Sequence, residues 1–126
     1  MTSQINDAAP HVILIVEDEP LQRFAAMDLI EDAGYVAVLA ANATEAISIL
    51  EARPDIRLVM TDVDMPNGID GMRLAALIRD RWPPIKVIII SGHLADPGDQ
   101  IPAETRFFSK PYREDRLLDT IRDMLG

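Results

Sequence analysis

Four short stretches carry side chains suited to phosphoryl or metal chemistry: Glu17-Asp18-Glu19, Thr61-Asp62-Val63-Asp64, Ser91-Gly92-His93 and Ser109-Lys110-Pro111. Singly, each has a plainer use. An acid after a strand serves as a turn residue or a helix cap, Ser91-Gly92 is a common loop, and Lys110 alone is a solvated lysine. Together they pose an electrostatic problem. Two carboxylates about 5 Å apart repel by ~3 kcal/mol at an effective dielectric of ~20. Glu17, Asp18 and Asp62 would form three such pairs, and Lys110 offsets only part of the repulsion. Such a site recruits a cation or takes up protons. Oxygen ligands favour a hard ion, Mg²⁺ or Mn²⁺, and the chain has no cysteine or histidine cluster for zinc. With a cation present, an Asp carboxylate can act as nucleophile toward phosphorus. Lys110 and the Ser91 hydroxyl suit the equatorial phosphoryl oxygens, and Gly92 would let the backbone approach closely.

These stretches must be brought together by the elements they terminate. Val12 to Val16, Leu58 to Met60 and Val87 to Ile90 are short, continuous apolar runs rich in β-branched residues. Runs without alternation suit strands buried on both faces, as in a parallel sheet. Tyr35 to Ala40 and Arg106 to Phe108 read as edge strands. Helical spacing falls between them. Leu21, Ala25 and Leu29 form a stripe that Ala26, Ile30 and Ala33 widen, and Gly34 follows as a stop. A second helix spans Thr44 to Arg53, capped at Asn42 or Thr44 and stopped by Pro54. A third carries Met72, Ala75, Ala76 and Ile78 or Arg79 up to Pro83-Pro84. A terminal helix from about Tyr112 carries Leu117, Leu118, Ile121 and Leu125. Between Leu94 and Glu104, Pro97, Gly98 and Pro102 leave room only for a short or irregular fourth helix. Alternating strands and helices predict an α/β fold, a parallel sheet with helices on both faces. In such sheets ligands bind outside the carboxyl ends of the strands, where Asp18, Asp62, Ser91 and Lys110 all fall.

The bulk properties fit one domain over residues 11–126, preceded by a flexible tail at 1–10. Residues 1–64 hold 12 acids and 3 bases, residues 65–126 hold 9 of each, and the net charge is −9. That balance disfavours nucleic acid, which needs a basic footprint. The longest apolar runs fall far short of the ~20 residues that span a bilayer. No membrane partner or secretory signal is expected, and the absence of cysteine fits a reducing compartment, by default the cytoplasm.

With these residues in view, the chain resembles the response regulator receiver domains of two-component signalling. The likeness rests on ILIVEDEP (13–20), LVMTDVDMPNGIDG (58–71), IIISG (88–92) and FFSKP (107–111). It covers about residues 11–125 and implies a stand-alone, chemotaxis-type receiver. It further implies a (βα)5 flavodoxin-like doubly wound sheet of order 2-1-3-4-5. Asp62 becomes the phosphoacceptor, served by a sensor histidine kinase or a histidine phosphotransfer protein. Mg²⁺ (or Mn²⁺) would be held by Glu17, Asp18, Asp62 and the backbone carbonyl of Asp64. Ser91 and Lys110 would contact the phosphoryl group, Ser91 and Phe107 would form the switch pair, and Lys110-Pro111 would be cis. The domain would be no classical enzyme, and a monomer or weak dimer. Asp64 and His93 each follow a site residue by two positions and are expected to tune phosphoryl lifetime. Phe24 and Met27, off the core stripe of the first helix, are candidates for kinase docking.

Two other readings compete. The Asp62-Val63-Asp64 element resembles that of haloacid dehalogenase-type Mg²⁺-dependent phosphohydrolases. A phosphorylation-independent interaction module could keep only the fold. Flavin binding fails at the first loop, which is acidic where a phosphate cradle needs Gly, Ser or Thr.

Overall fold

The chain was analysed as a computed structural model that describes residues 10–64, 70–92 and 104–126. The apolar runs form the centre of a five-stranded parallel sheet. Its strands are β1 (Val12–Val16), β2 (Val36–Ala40), β3 (Ile56–Asp62), β4 (Lys86–Ser91) and β5 (Thr105–Ser109). Their order is β2-β1-β3-β4-β5, with every pairing parallel. The three most apolar strands are thus central, and the two weaker ones are edges, as their composition predicts.

The helices are α1 (Pro20–Asp32), α2 (Ala43–Ala52), α3 (Gly71–Arg81) and α4 (Glu114–Leu125). They cover both faces. On one, Ala46 and Leu50 of α2 and Leu74 and Ile78 of α3 pack against Leu14, Val59 and Ile89. On the other, Ile30 of α1 and Leu117 and Ile121 of α4 pack against Ile13, Leu58 and Ile88. Alternate residues of each central strand therefore enter opposite cores. Each fully buried Leu or Ile contributes about 1.5–3 kcal/mol.

Helix ends follow local chemistry. Asn42 caps α2 by accepting from Glu45 N at 2.9 Å, and the Glu45 carboxylate accepts in turn from Ala41 N at 2.8 Å. Gly34 ends α1 at φ +97°, while Gly34 N and Tyr35 N donate to the Glu31 and Ile30 carbonyls. The α1 stripe, however, is rotated from expectation. Leu21 and Ala25 are exposed, whereas Ala26, Met27, Leu29 and Ile30 face the core. Met27 is therefore a packing residue, while Phe24 stays 47% exposed. In α3 the buried face is Leu74, Ala75 and Ile78, and Ala76 and Arg79 are exposed. Helix α4 starts at Glu114 rather than Tyr112, with Glu114 and Asp115 favourably placed in its first turn. The expected short fourth helix between Leu94 and Glu104, His93 beside it and the 1–10 tail fall largely or wholly outside the described residues.

Candidate functional site

Register places the reactive residues on one edge. Val16 lies level with Thr61, Asp62 with Ile90, and Ser91 with Ser109. The backbone pairing runs on past the strands, through Val63 N to Ile90 O at 3.0 Å and Lys110 N to Ser91 O at 2.8 Å. The Lys110-Pro111 bond is cis, as the resemblance implied.

The first acidic loop divides its labour. Glu19 caps α1, its carboxylate accepting from Leu21 N and Gln22 N, each at 3.1 Å. This leaves Glu17 and Asp18 for other work. Oxygens of Glu17, Asp18 and Asp62 lie within 4.8 Å of one another. Arg23 holds the loop from below, its Nη1 donating to the Glu17 carbonyl at 2.8 Å and more weakly to that of Asp18 at 3.4 Å.

Lys110 Nζ reaches into this cluster, 3.3 Å from Asp62 Oδ2 and 3.8 Å from Glu17 Oε1. One ammonium faces three carboxylates, so negative charge stays in excess. The consequence falls on Glu17, which is buried. Loss of water pushes its carboxyl up to about 7, against a lowering hydrogen bond from Glu19 N, and the Asp62 charge raises it further. The two Asp62 oxygens differ. Oδ2 has Lys110, whereas Oδ1 is buried with no hydrogen-bond partner among the described residues. A buried carboxylate oxygen left unpaired is costly. A hard cation among Oδ1, Glu17 and Asp18 would relieve both the orphan oxygen and the mutual repulsion. The residues present therefore fit such an ion.

The backbone around Asp62 is gripped as well. Thr61 Oγ1 donates to the Asp62 carbonyl at 3.0 Å, and Gly71 N donates to the Val63 carbonyl at 3.0 Å. A Cβ at Gly71 would overlap the Asp62 carbonyl oxygen and approach Val63 Cα to 2.9 Å. Only glycine lets α3 begin so close to Asp62. Gly92 is under no such constraint from the described residues, since a Cβ there would meet Lys110 Cδ at 3.7 Å and Cβ at 3.9 Å, ordinary contacts. Among the described glycines, close packing requires Gly71.

Of the other expected residues, Ser91 is buried at the end of β4. Phe107 is partly buried against the core under α2 and α3. Asp64 is exposed at the mouth, immediately before residues 65–69, which are not described, and His93 also lies outside the described residues. Residue-type reasoning missed Gln22, Arg23 and Gly71. A cleft of ≈ 480 Å³ opens over the site, with Glu17, Gln22, Asp62, Lys110 and Tyr112 in its wall. The Tyr112 ring meets Phe108 edge-on, with centroids 6.4 Å apart, and burial raises its phenol pKa, with the Glu114 and Glu17 charges adding to the rise.

The sequence and fold are similar to those of known proteins. The chain is 33% identical over 117 residues to sensor kinase CckA of Brucella abortus, covering 90% of this chain and 12% of that protein. It is similar to the crystal structure of a receiver domain from hybrid histidine kinase CckA. There the identity is 33% and the TM-score 0.76, over 91% of this chain and 99% of that one. Response regulator TrrA of Thermotoga maritima, solved in complex with Mg²⁺ and BeF, aligns at 26% identity with a TM-score of 0.79. That match covers 90% of this chain and 97% of that one. The chain spans only 12–24% of the length of the CckA and NtrX-type curated relatives it matches. The family model described as response regulator receiver domain matches residues 13–122. With a five-stranded sheet of order 2-1-3-4-5 and an acidic cluster at its carboxyl edge, the chain belongs to the response regulator receiver family.

Proposed function

We propose that Asp62 accepts a phosphoryl group from a phosphohistidine of a sensor histidine kinase or histidine phosphotransfer protein, with Mg²⁺ bound beside it. The observation that carries this reading is the division of the Asp62 carboxylate: Oδ2 lies 3.3 Å from Lys110 Nζ, and Oδ1 is buried without a partner among the described residues. A carboxylate oxygen of Asp62 attacks phosphorus, the P–N bond to the donor imidazole breaks, and the imidazole leaves with the electron pair and takes up a proton. Glu17, Asp18, Asp62 and the Asp64 carbonyl would hold the metal, which when bound neutralises charge on the phosphoryl oxygens. Lys110 supplies a second positive charge there, and the Ser91 hydroxyl a hydrogen bond.

Readout would run through Ser91 and Phe107. The buried hydroxyl turns toward the phosphoryl group, and the half-buried ring follows. Asp64 and His93, by position, would govern hydrolytic water. Dephosphorylation half-lives of Asp64→Asn and His93→Ala that match the parent would end that idea. Donor docking falls to the exposed side of α1, where Leu21 is 78% and Phe24 47% exposed beside the cleft. Normal transfer to Phe24→Asp from the kinase would exclude this face. Among the described residues no helix is long and apolar enough to cross a membrane, and meeting a kinase domain would place the chain in the cytoplasm.

Receiver domains are phosphoacceptor signalling modules rather than classical enzymes, so the phosphohydrolase alternative falls away. The interaction-module alternative gives no reason for an orphan carboxylate oxygen beside two further acids. Incubation with Mg²⁺ and acetyl phosphate, followed by intact-mass measurement, separates the two. One added phosphoryl group, absent in Asp62→Asn and absent with chelator, is the expected result. No adduct from any donor would overturn the proposal.

A further inference from the structure

The atom nearest Lys110 Nζ within this site belongs to none of the acids. Gln22 Oε1 accepts from Nζ at 3.0 Å, against 3.3 Å for Asp62 Oδ2 and 3.8 Å for Glu17 Oε1. The contact joins residues 88 positions apart in the chain. Gln22 is itself anchored, because its backbone N–H is held by the Glu19 cap at the start of α1.

An ammonium offers three N–H donors on a flexible four-carbon stem. Here one neutral and two charged oxygens surround it, and the Lys110 side chain is 30% exposed beneath the cleft. Without the neutral oxygen, two resting places remain. The ammonium can swing into water, or it can collapse onto the carboxylates. Neither leaves it poised above Asp62 for an incoming anion. We propose that Gln22 is a positioning residue: its amide oxygen sets the resting place of the Lys110 ammonium over Asp62, ready for an anionic phosphoryl donor. The functional part of this inference rests on Asp62 being the acceptor.

The test uses Gln22→Met, which keeps length and removes the acceptor, and Gln22→Glu, which keeps an acceptor oxygen. Two quantities are measured on the full chain. One is the rate of phosphoryl uptake from acetyl phosphate at saturating Mg²⁺. The other is exchange of the Lys110 ammonium protons with water, read by ¹⁵N NMR in the absence of donor. Gln22→Met should take up phosphoryl groups about tenfold more slowly, the equivalent of ~1.4 kcal/mol for one lost hydrogen bond to a charged group. Its ammonium exchange should speed up and return toward the parent value in Gln22→Glu. Because Gln22 is exposed, the melting temperature should hold within a few degrees, which separates positioning from folding. An unchanged uptake rate or an unchanged ammonium exchange in Gln22→Met overturns the proposal. If the parent itself takes up no phosphoryl group, the Asp62 reading fails instead, and ammonium exchange alone then decides the role of Gln22.

Discussion

The two edges of the sheet handle charge in opposite ways. At the amino edge, among the described residues, acids are met by cations. Arg53 meets Asp55 at 2.7 Å, Arg81 meets Glu51 at 2.8 Å and Lys86 meets Glu104 at 3.0 Å. Arg81 also stacks on Trp82, 4.4 Å from the ring centroid. At the carboxyl edge, Glu17, Asp18 and Asp62 cluster, Lys110 reaches two of them, and one Asp62 oxygen has no hydrogen-bond partner among the described residues. The paired edge is solvated, and each of these acids has its cation. The other edge, with Glu17 buried, Asp62 partly buried and Asp18 exposed, holds charge that Lys110 alone does not neutralise. On the proposed reading, this excess charge is binding capacity for a cation and a phosphoryl group, held at the expense of stability.

That contrast breaks most decisively at Asp62. Asp62→Asn should abolish phosphoryl uptake and remove most of the stabilisation that Mg²⁺ gives, about 2.7 kcal/mol for the parent when Mg²⁺ is at 100 times its dissociation constant. The same change should raise the melting temperature of the metal-free protein by a few degrees, because it deletes a charge repelled by Glu17. Thermal melts with and without Mg²⁺ measure both. A metal-free variant less stable than the parent would mean that this edge is not strained by its acids.

Gly71 comes next. A Cβ there meets the backbone of Asp62 and Val63 rather than a movable side chain. Gly71→Val should cost about 3 kcal/mol or more, by overpacking against backbone. Chemical denaturation would detect it. A loss under ~1 kcal/mol would show that the start of α3 can slide away from the acceptor.

How much of this was legible beforehand depends on the range of each cause. The central strands and the four strand-end motifs are local patterns of apolar runs followed by polar residues, whereas the strand order followed only from the resemblance, and Glu17, Asp18, Asp62 and Lys110 assemble where those patterns put them. The stripe of α1 was misread because apolar residues surround that helix. Leu21, Phe24 and Ala25 lie on one side and Ala26, Met27 and Ile30 on the other, so spacing alone does not say which side is buried. Gln22, Arg23 and Gly71 were invisible for another reason. Their roles are contacts with Lys110, the Glu17 carbonyl and the Asp62 backbone, which only the folded chain brings near.

A smaller effect sharpens the contrast through pH. The Glu17 carboxyl is raised to about 7, chiefly by burial, from an ordinary value of 4.5. A raised folded-state pKa means that the folded protein binds the extra proton between those values. The stability that Glu17 contributes without metal is therefore full below about pH 4.5 and is lost as pH rises through about 7. The melting temperature of metal-free protein should fall by on the order of 5 °C across that window. Glu17→Gln should flatten the decline, and Mg²⁺ should reverse it at the alkaline end. Equal slopes in parent and variant would assign the decline to other groups.

The smallest effect belongs at the opposite edge, and it tests the comparison from its other side. Glu51→Gln removes the charge that faces Arg81, yet both side chains stay 42–51% exposed, so water and salt replace most of the attraction. Arg81 also keeps its stack on Trp82, an interaction independent of Glu51. The expected cost is under ~1 kcal/mol, and it should shrink further as salt is added. Phosphoryl uptake should match the parent, because the substitution lies across the sheet from Asp62. A variant that loses several kcal/mol, or that slows uptake, would mean that charge pairing at the amino edge supports the site through the strands. The two edges would then be one electrostatic system rather than a complete edge and an incomplete one.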